Sequence, residues 1–209
     1  INMDFSTLGG SSLSSTSTEV MPSTNNAPLN LQKQNFLNLS KSSPSLTKVK
    51  VGLGWDTGQG NGFDLDASVF MLHNGKIQSA DDVIYYHHLD GQGVHHTGDN
   101  RTGAGEGDDE VIIVDLNSVP SDVNKLVFVA TIFEADVRQQ TFGMVNNSFM
   151  RIVDDATNNE IARFELKDDF STETSVIFGE LVKENSSWLF HTIGEGKKAD
   201  LNGLYSLYM

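Results

Sequence analysis

From Leu29 onward, apolar and polar residues alternate with a period of two, the pattern of strands with one buried face. "KVKVGLG" at 48–54 places Val49, Val51 and Leu53 on one side. "DLDASVFML" (64–72), "VIYYHH" (83–88), "EVIIVDL" (110–116), "KLVFVATIF" (125–133) and "SFMRIV" (148–153) follow. "EIARFEL" (160–166), "VIFGELV" (176–182) and "SWLFHTI" (187–193) complete the series. "LNL" and "FLNL" upstream alternate in the same way. The segments are short, rich in β-branched and aromatic residues, and separated by turn sequences such as "HNGK" and "TNNE". Only "ADVRQQTFGMV" and "ADLNGLYSLY" have a helical look. Roughly ten strands at regular spacing predict an all-β fold, a two-sheet β-sandwich with one or two short helices.

Residues 1–27 break the pattern. They are dominated by Ser and Thr, carry two charges (Asp4 and Glu19) and offer few core-forming side chains. Alone, such a segment buries too little apolar surface to offset its ordering entropy. It is expected to be an extended N-terminal arm, disordered in isolation, that becomes ordered by adding to a sheet edge or crossing to a second copy. The expected organisation is therefore an extension at 1–27 and one domain at 28–209.

Charge then changes the picture. There are 28 acidic residues against 14 basic ones, a net charge of −14. This disfavours nucleic-acid binding, which needs a basic face to displace counterions. It also disfavours adsorption to an anionic membrane unless a cation bridges the two. There is no cysteine, so disulfides and thiolate metal sites are excluded. No apolar run approaches the ~20 residues of a membrane helix. The first residues lack the basic start and apolar core of a signal peptide, so a cytoplasmic location is expected, with peripheral membrane association as its variant.

The acids are concentrated. Between Asp56 and Glu110 there are eleven, against only Lys76 and Arg101, a local net charge of −9. "GDNRTGAGEGDDE" (98–110) holds four glycines and five acids, Asp99, Glu106, Asp108, Asp109 and Glu110. Asp64 and Asp66, two apart on a predicted strand, project from one face while Leu65, Ala67 and Val69 face the core. Two carboxylates ~4 Å apart repel by roughly 4 kcal/mol at an effective dielectric of ~20. A hard cation relieves this, and calcium takes six to eight oxygens from carboxylates, carbonyls and amides. Asn100 and Thr102 add neutral oxygens. The loop is not an EF-hand: Arg101 and Ala104 occupy its third and sixth positions, and its flanks are strands. Acidic surface loops are also commonly only solvated, and composition leaves both readings open.

"VGLGWD", "FDLDASVFML", "HTGDNRTGAGEGDDE", "QTFGMVNNSFMRIVDD" and "STETSVIFGEL" together resemble the successive motifs of the TerD family of tellurite-resistance and stress-response proteins. The resemblance covers about residues 28–208. It implies a β-sandwich that binds calcium as two neighbouring ions through Asp64, Asp66, Asp99, Asn100, Thr102, Glu106, Asp108, Asp109 and Glu110. Asp56 in "GWD" and Glu134 in "IFEAD" are weaker members of that set. The family's "KGG" turn is here Lys33-Gln34-Asn35, and its Trp-Lys-Phe is Trp188-Leu189-Phe190. Neither departure touches the acidic residues.

Other constellations are weaker. His87-His88 and His95-His96 suggest zinc, but neighbours on a strand face opposite ways, so one of each pair at most reaches a shared site. The glycines of "GQGNGFD" precede a strand, whereas a phosphate-binding turn opens onto a helix. Trp55 and Trp188 are expected in or beside the core. Three readings follow. The first is a calcium-binding module that acts through other stress-response proteins and not by catalysis. The second is a self-assembling homo-oligomer joined by residues 1–27. The third, a calcium-dependent phosphoester hydrolase, lacks a separate general base. The first is adopted, with the second as alternative.

Overall fold

A computed structural model describes residues 18–19, 29–30, 35–39, 46–56, 62–166 and 170–209. The expectations for residues 1–27 otherwise lie outside the described residues, as do Lys33 and Gln34. Among the described residues there are two sheets of seven strands each. The first contains β1 (Thr18–Glu19), β3 (Asn35–Asn38), β5 (Leu65–Leu72), β6 (Val83–Ile84), β10 (Lys125–Ile132), β13 (Ser175–Glu184) and β14 (Ser187–Lys197), in the order β1-β3-β14-β13-β10-β5-β6. The second contains β2 (Leu29–Asn30), β4 (Lys48–Gly54), β7 (Asp90–Gly91), β8 (Val94–His96), β9 (Glu110–Asp115), β11 (Phe149–Asp154) and β12 (Glu160–Glu165), in the order β2-β12-β11-β4-β9-β8-β7. Pairing is antiparallel except at one edge of each sheet, where β1 joins β3 and β2 joins β12 in parallel. Part of the arm thus adds to a sheet edge of its own chain, with Thr18 opposite Asn35 and Glu19 opposite Phe36.

The core follows from the alternation. Val49, Val51 and Leu53 of β4 are buried against Ala67, Val69, Phe128, Phe178 and Phe190 in one apolar cluster between the sheets. Trp55 and Trp188 belong to it, and the Trp188 indole donates to Leu116 O at 3.2 Å. β9 alternates buried and half-buried positions along its length, as its sequence predicts.

β5 departs from simple alternation because both of its faces are covered. Leu65, Ala67, Val69 and Met71 enter the inter-sheet core, whereas Phe70 and Leu72 enter a second apolar cluster. The lid of that cluster is the C-terminal segment, a short helix (Leu201–Tyr205) continued by a 3₁₀ turn (Ser206–Tyr208). Asp200 starts it, accepting from Gly203 N at 2.8 Å. Leu204 is buried on the sheet, and Tyr208 stacks at 5.6 Å from Phe70. The other helical expectation is met by the helix Ala135–Arg138 and the 3₁₀ turn Phe142–Met144, separated by Gln139 at φ 54°.

One predicted strand is shorter than its pattern. Only Val83 and Ile84 of "VIYYHH" pair with β5; Tyr85 and His88 then close a tight turn through two backbone bonds of 2.9 and 2.8 Å. The aromatic residues stack within the turn, Tyr86 and His87 having ring centres 4.4 Å apart. The hairpin β7–β8 carries too few alternating positions to register as a strand pair. Its turn depends on Gly93, at φ 78°, where a Cβ would stand 2.5 Å from Val119 N.

Candidate metal centre

Strand β5 begins at the mouth of the sandwich. Leu65 and Ala67 are drawn into the core, which forces Asp64 and Asp66 onto the other face. Asp64 O accepts from Phe133 N at 2.8 Å, tying this strand start to the end of β10. Both carboxyl groups are only 5% exposed, and Asp99, from the loop between β8 and β9, reaches them from the solvent side. Asp64, Asp66 and Asp99 each offer an oxygen within 4.8 Å of the others.

Electrostatics at this point are unfavourable. Burial, then the charges of Glu110, Asp64 and Asp99, push the Asp66 carboxyl up to about 8, against the pull of Arg138. Burial and Asp99 likewise raise Asp64, with Arg138 and Arg101 opposing. Arg101 Nε lies 3.9 Å from Asp64 Oδ2, but that side chain is largely in solvent. Asp64 Oδ1 is buried with no hydrogen-bond partner. An unpaired buried carboxylate oxygen costs more than a kcal/mol or so and calls for a ligand.

The remaining loop residues have other work. Glu110 is fully buried: Oε2 accepts from Ala67 N at 2.6 Å and Oε1 from Asn100 N at 3.3 Å. His96 Nε2, 3.1 Å from Ala67 O and 3.4 Å from Glu110 Oε2, completes this junction of β5, β8 and β9. Asn100 Oδ1 accepts from Thr102 N and Gly103 N, each at 3.2 Å, and from the Thr102 hydroxyl at 3.3 Å. Asn100 Nδ2 donates to Asp109 Oδ1 at 2.9 Å, while Asp109 Oδ2 accepts from Trp55 N at 2.9 Å. Burial raises the Asp109 carboxyl despite that bond. Asp108 is turned to Arg151, whose Nε and Nη2 donate to its two oxygens at 2.7 and 3.0 Å. Asp56 is exposed and accepts from Asn147 Nδ2. Glu106 and Thr102 are exposed, and Glu134, at φ 51°, pairs with Arg138 at 3.6 Å.

Of the eleven candidate ligands, then, three converge at one point. Glu110, Asn100 and Asp109 brace the loop, and Asp108 and Asp56 are held elsewhere. The histidines do not converge: His95 pairs with Asp90 at 2.6 Å and His88 Nδ1 lies 2.9 Å from Val83 O. Sequence reasoning passed over Tyr86 and Arg138. Burial and then the Asp66 charge raise the Tyr86 hydroxyl pKa, while Arg138 opposes the rise at Asp64 and Asp66. Neither residue carries a sequence signal, because a turn and a one-turn helix bring them there. The donor set is all oxygen and partly open to water, which suits a hard cation and not zinc.

Fold and site together define a β-sandwich with a carboxylate centre at one end. The TerD domain model matches residues 28–208, and the chain belongs to the TerD family. It is 46% identical over 186 residues to tellurium resistance protein TerD of Serratia marcescens, covering 86% of this chain and 96% of that protein. It is 49% identical over 179 residues to general stress protein 16U of Bacillus subtilis (strain 168), covering 83% and 93%. Among solved structures, a homologue of telluride resistance protein (TerD) from Streptomyces coelicolor A3(2) superposes with a TM-score of 0.63 at 19% identity, over 76% of this chain and 94% of that one. That likeness concerns the fold. No helix among the described residues is long and apolar enough to cross a membrane.

Proposed function

We propose that this chain is a calcium-binding member of the tellurium-resistance and stress-response type, acting by binding and not by catalysis. The observation that carries the reading is the convergence of Asp64, Asp66 and Asp99, with Asp64 Oδ1 buried and unpartnered among them. Calcium is preferred to magnesium because it tolerates an irregular set of carboxylates and waters. When bound, the ion would supply the positive charge that these three groups lack. The geometry supports one ion here. A second requires Asp108 or Asp109 to leave Arg151 or Trp55 N.

Calcium titration against a chelator tests the reading. A ligand at 100 to 1,000 times its dissociation constant adds ~2.7–4.1 kcal/mol of stability. Each kcal/mol shifts the melting temperature of a domain this size by roughly 2–4 °C. The expected rise is on the order of 5–15 °C in saturating calcium, with much less in magnesium. An unchanged melting temperature refutes the reading. Phosphodiesterase turnover that depends on calcium would move the chain to the hydrolase class.

A second reading, self-assembly through residues 1–27, draws on the pairing of Thr18–Glu19 with β3. The arm's backbone adds to a sheet edge within one chain, and assembly through the arm exchanges that same strand between copies.

A further inference from the structure

Beneath the acidic loop, β4 presents Gly52 and Gly54 on the face opposite Val51 and Leu53. A Cβ at Gly52 would stand 2.3 Å from Asp108 Cγ, and one at Gly54 would stand 2.6 Å from Gly107 O. The loop at 107–108 therefore rests directly on the strand, in a track that any side chain would fill. Its continuation is fixed by Asp109 N, which donates to Leu53 O at 2.8 Å.

Arg151 sits opposite Gly52 on the neighbouring strand β11. Its bidentate bonds close over Asp108, and its third nitrogen, Nη1, donates to Glu160 Oε2 at 2.7 Å. The guanidinium is thus oriented from β12 on one side while it grips the loop on the other. The bond to Asp108 contributes most to raising the Arg151 pKa above its ordinary value, against the effect of burial. This is a planar fork matched to a carboxylate, a geometry lysine does not reproduce. Asp108 lies outside the Asp64–Asp66–Asp99 group. The residues immediately after it, Asp109 and Glu110, are the two that hold Asn100, the neighbour of Asp99.

We propose that Arg151 is a positioning residue for the calcium centre: by seating Asp108 in the Gly52–Gly54 track it sets the register of 107–110 and, through Asn100, the place of Asp99. The proposal rests on the calcium reading above. It assigns Asp108 to the support of the site. The opposite assignment, in which Asp108 is a ligand and Arg151 its competitor, predicts the opposite sign for the loss of Arg151.

The test is calorimetric titration with calcium chloride of the full chain and of Arg151→Met, Arg151→Lys, Asp108→Asn and the Arg151→Met/Asp108→Asn double variant. All are measured at a temperature where circular dichroism shows each to be folded. Loss of a group that orients a ligand lowers metal affinity about 10–100-fold. Arg151→Met should weaken calcium binding by that factor and Arg151→Lys should recover part of it. The double variant should bind no more weakly than the worse single one, since one contact is removed in each. Should Arg151→Met fail to fold, Arg151→Lys decides by the same sign: binding weaker than in the unaltered chain upholds the clamp, and tighter binding makes Asp108 a ligand. Tighter binding or an additional ion in Arg151→Met overturns the proposal and makes Asp108 a ligand. Unchanged affinity in Arg151→Met and in Asp108→Asn also overturns it, leaving a clamp with no bearing on the metal. If the unaltered chain takes up no calcium, the metal reading itself is what fails.

Discussion

On the calcium reading, Asp66 couples fold to ligand. Its folded, metal-free carboxyl titrates near 8, against 3.8 for the ordinary group, because it is buried among other acids. The unfolded chain has released this proton by pH ~5, while the metal-free fold keeps it until pH ~8. The fold binds more protons across that window, so its stability falls as pH rises through it. In chelator, the melting temperature should therefore decline between pH ~5 and ~8, and calcium should flatten the decline by taking the proton's place. Thermal scans across that range, with and without calcium, check both halves; parallel curves would contradict the coupling. At fixed neutral pH, Asp66→Asn should abolish the calcium-dependent shift and leave the metal-free domain as stable as before or more so, since an amide is buried neutral without the proton uptake that Asp66 needs on folding. Asp154→Ala is the matched control. Asp154 Oδ1 accepts from Ala156 N at 2.9 Å in the β11–β12 turn, so its loss lowers stability without reducing the response to calcium. At this scale the Asp64/Asp66 pair was legible because a period of two fixes which face a side chain takes. The grip of Arg151 on Asp108 was not, since its partners lie 43 positions apart and only the sheet order joins them.

Whole elements were read well where a strand is long and poorly where it is short. β4, β5, β9, β10 and β11 were recovered to within a residue or so, because alternation or a continuous β-branched and aromatic run marks a strand. β6 was over-read: "VIYYHH" has strand composition throughout, but its aromatic residues serve a turn. The β7–β8 hairpin escaped notice because two paired positions make no period. β5 exposed a further limit, since alternation assigned only Leu65, Ala67 and Val69 to a core, whereas Phe70 and Leu72 on the other face are roofed by the C-terminal helix. Composition could mark 199–208 as helical but could not say which sheet face it covers. Leu204 is the centre of that roof and is fully buried. Leu204→Ala should cost about 2–5 kcal/mol, the range for a buried leucine that leaves a partly collapsed cavity. Chemical denaturation would show a lowered midpoint at unchanged slope. The calcium-induced shift should survive, because the helix packs on Phe70 and Leu72 whereas the ligands sit at the strand's opposite end. Loss of both together would mean that the roof also holds the centre.

Across the molecule, ligands and arm occupy different parts of the sandwich. Asp66 stands at the start of β5 and Asp64 just before it, next to the β6 edge of the first sheet, whereas Thr18–Glu19 covers the far edge beyond β3. The sequence separated these two parts by composition alone, and the TerD match begins at residue 28, where the Ser/Thr-rich stretch ends. What composition could not show was where the arm's backbone would find partners. Among the described residues the β1–β3 ladder joins Thr18 to Asn35 and Glu19 to Phe36. A short tethered strand competes with one from a second copy at an effective concentration on the order of millimolar. Below that the chain should pair with itself, and above it the strand should exchange between copies. Sedimentation of the full chain in calcium should accordingly show a monomer when dilute and a growing dimer as concentration approaches that range. A chain shortened to residues 28–209 has no β1 to exchange, and should stay monomeric throughout while keeping its full calcium-induced rise in melting temperature. Identical sedimentation of the two chains at every concentration would remove the arm from assembly. A lost calcium response in the shorter chain would instead show that residues 1–27 take part in building the domain.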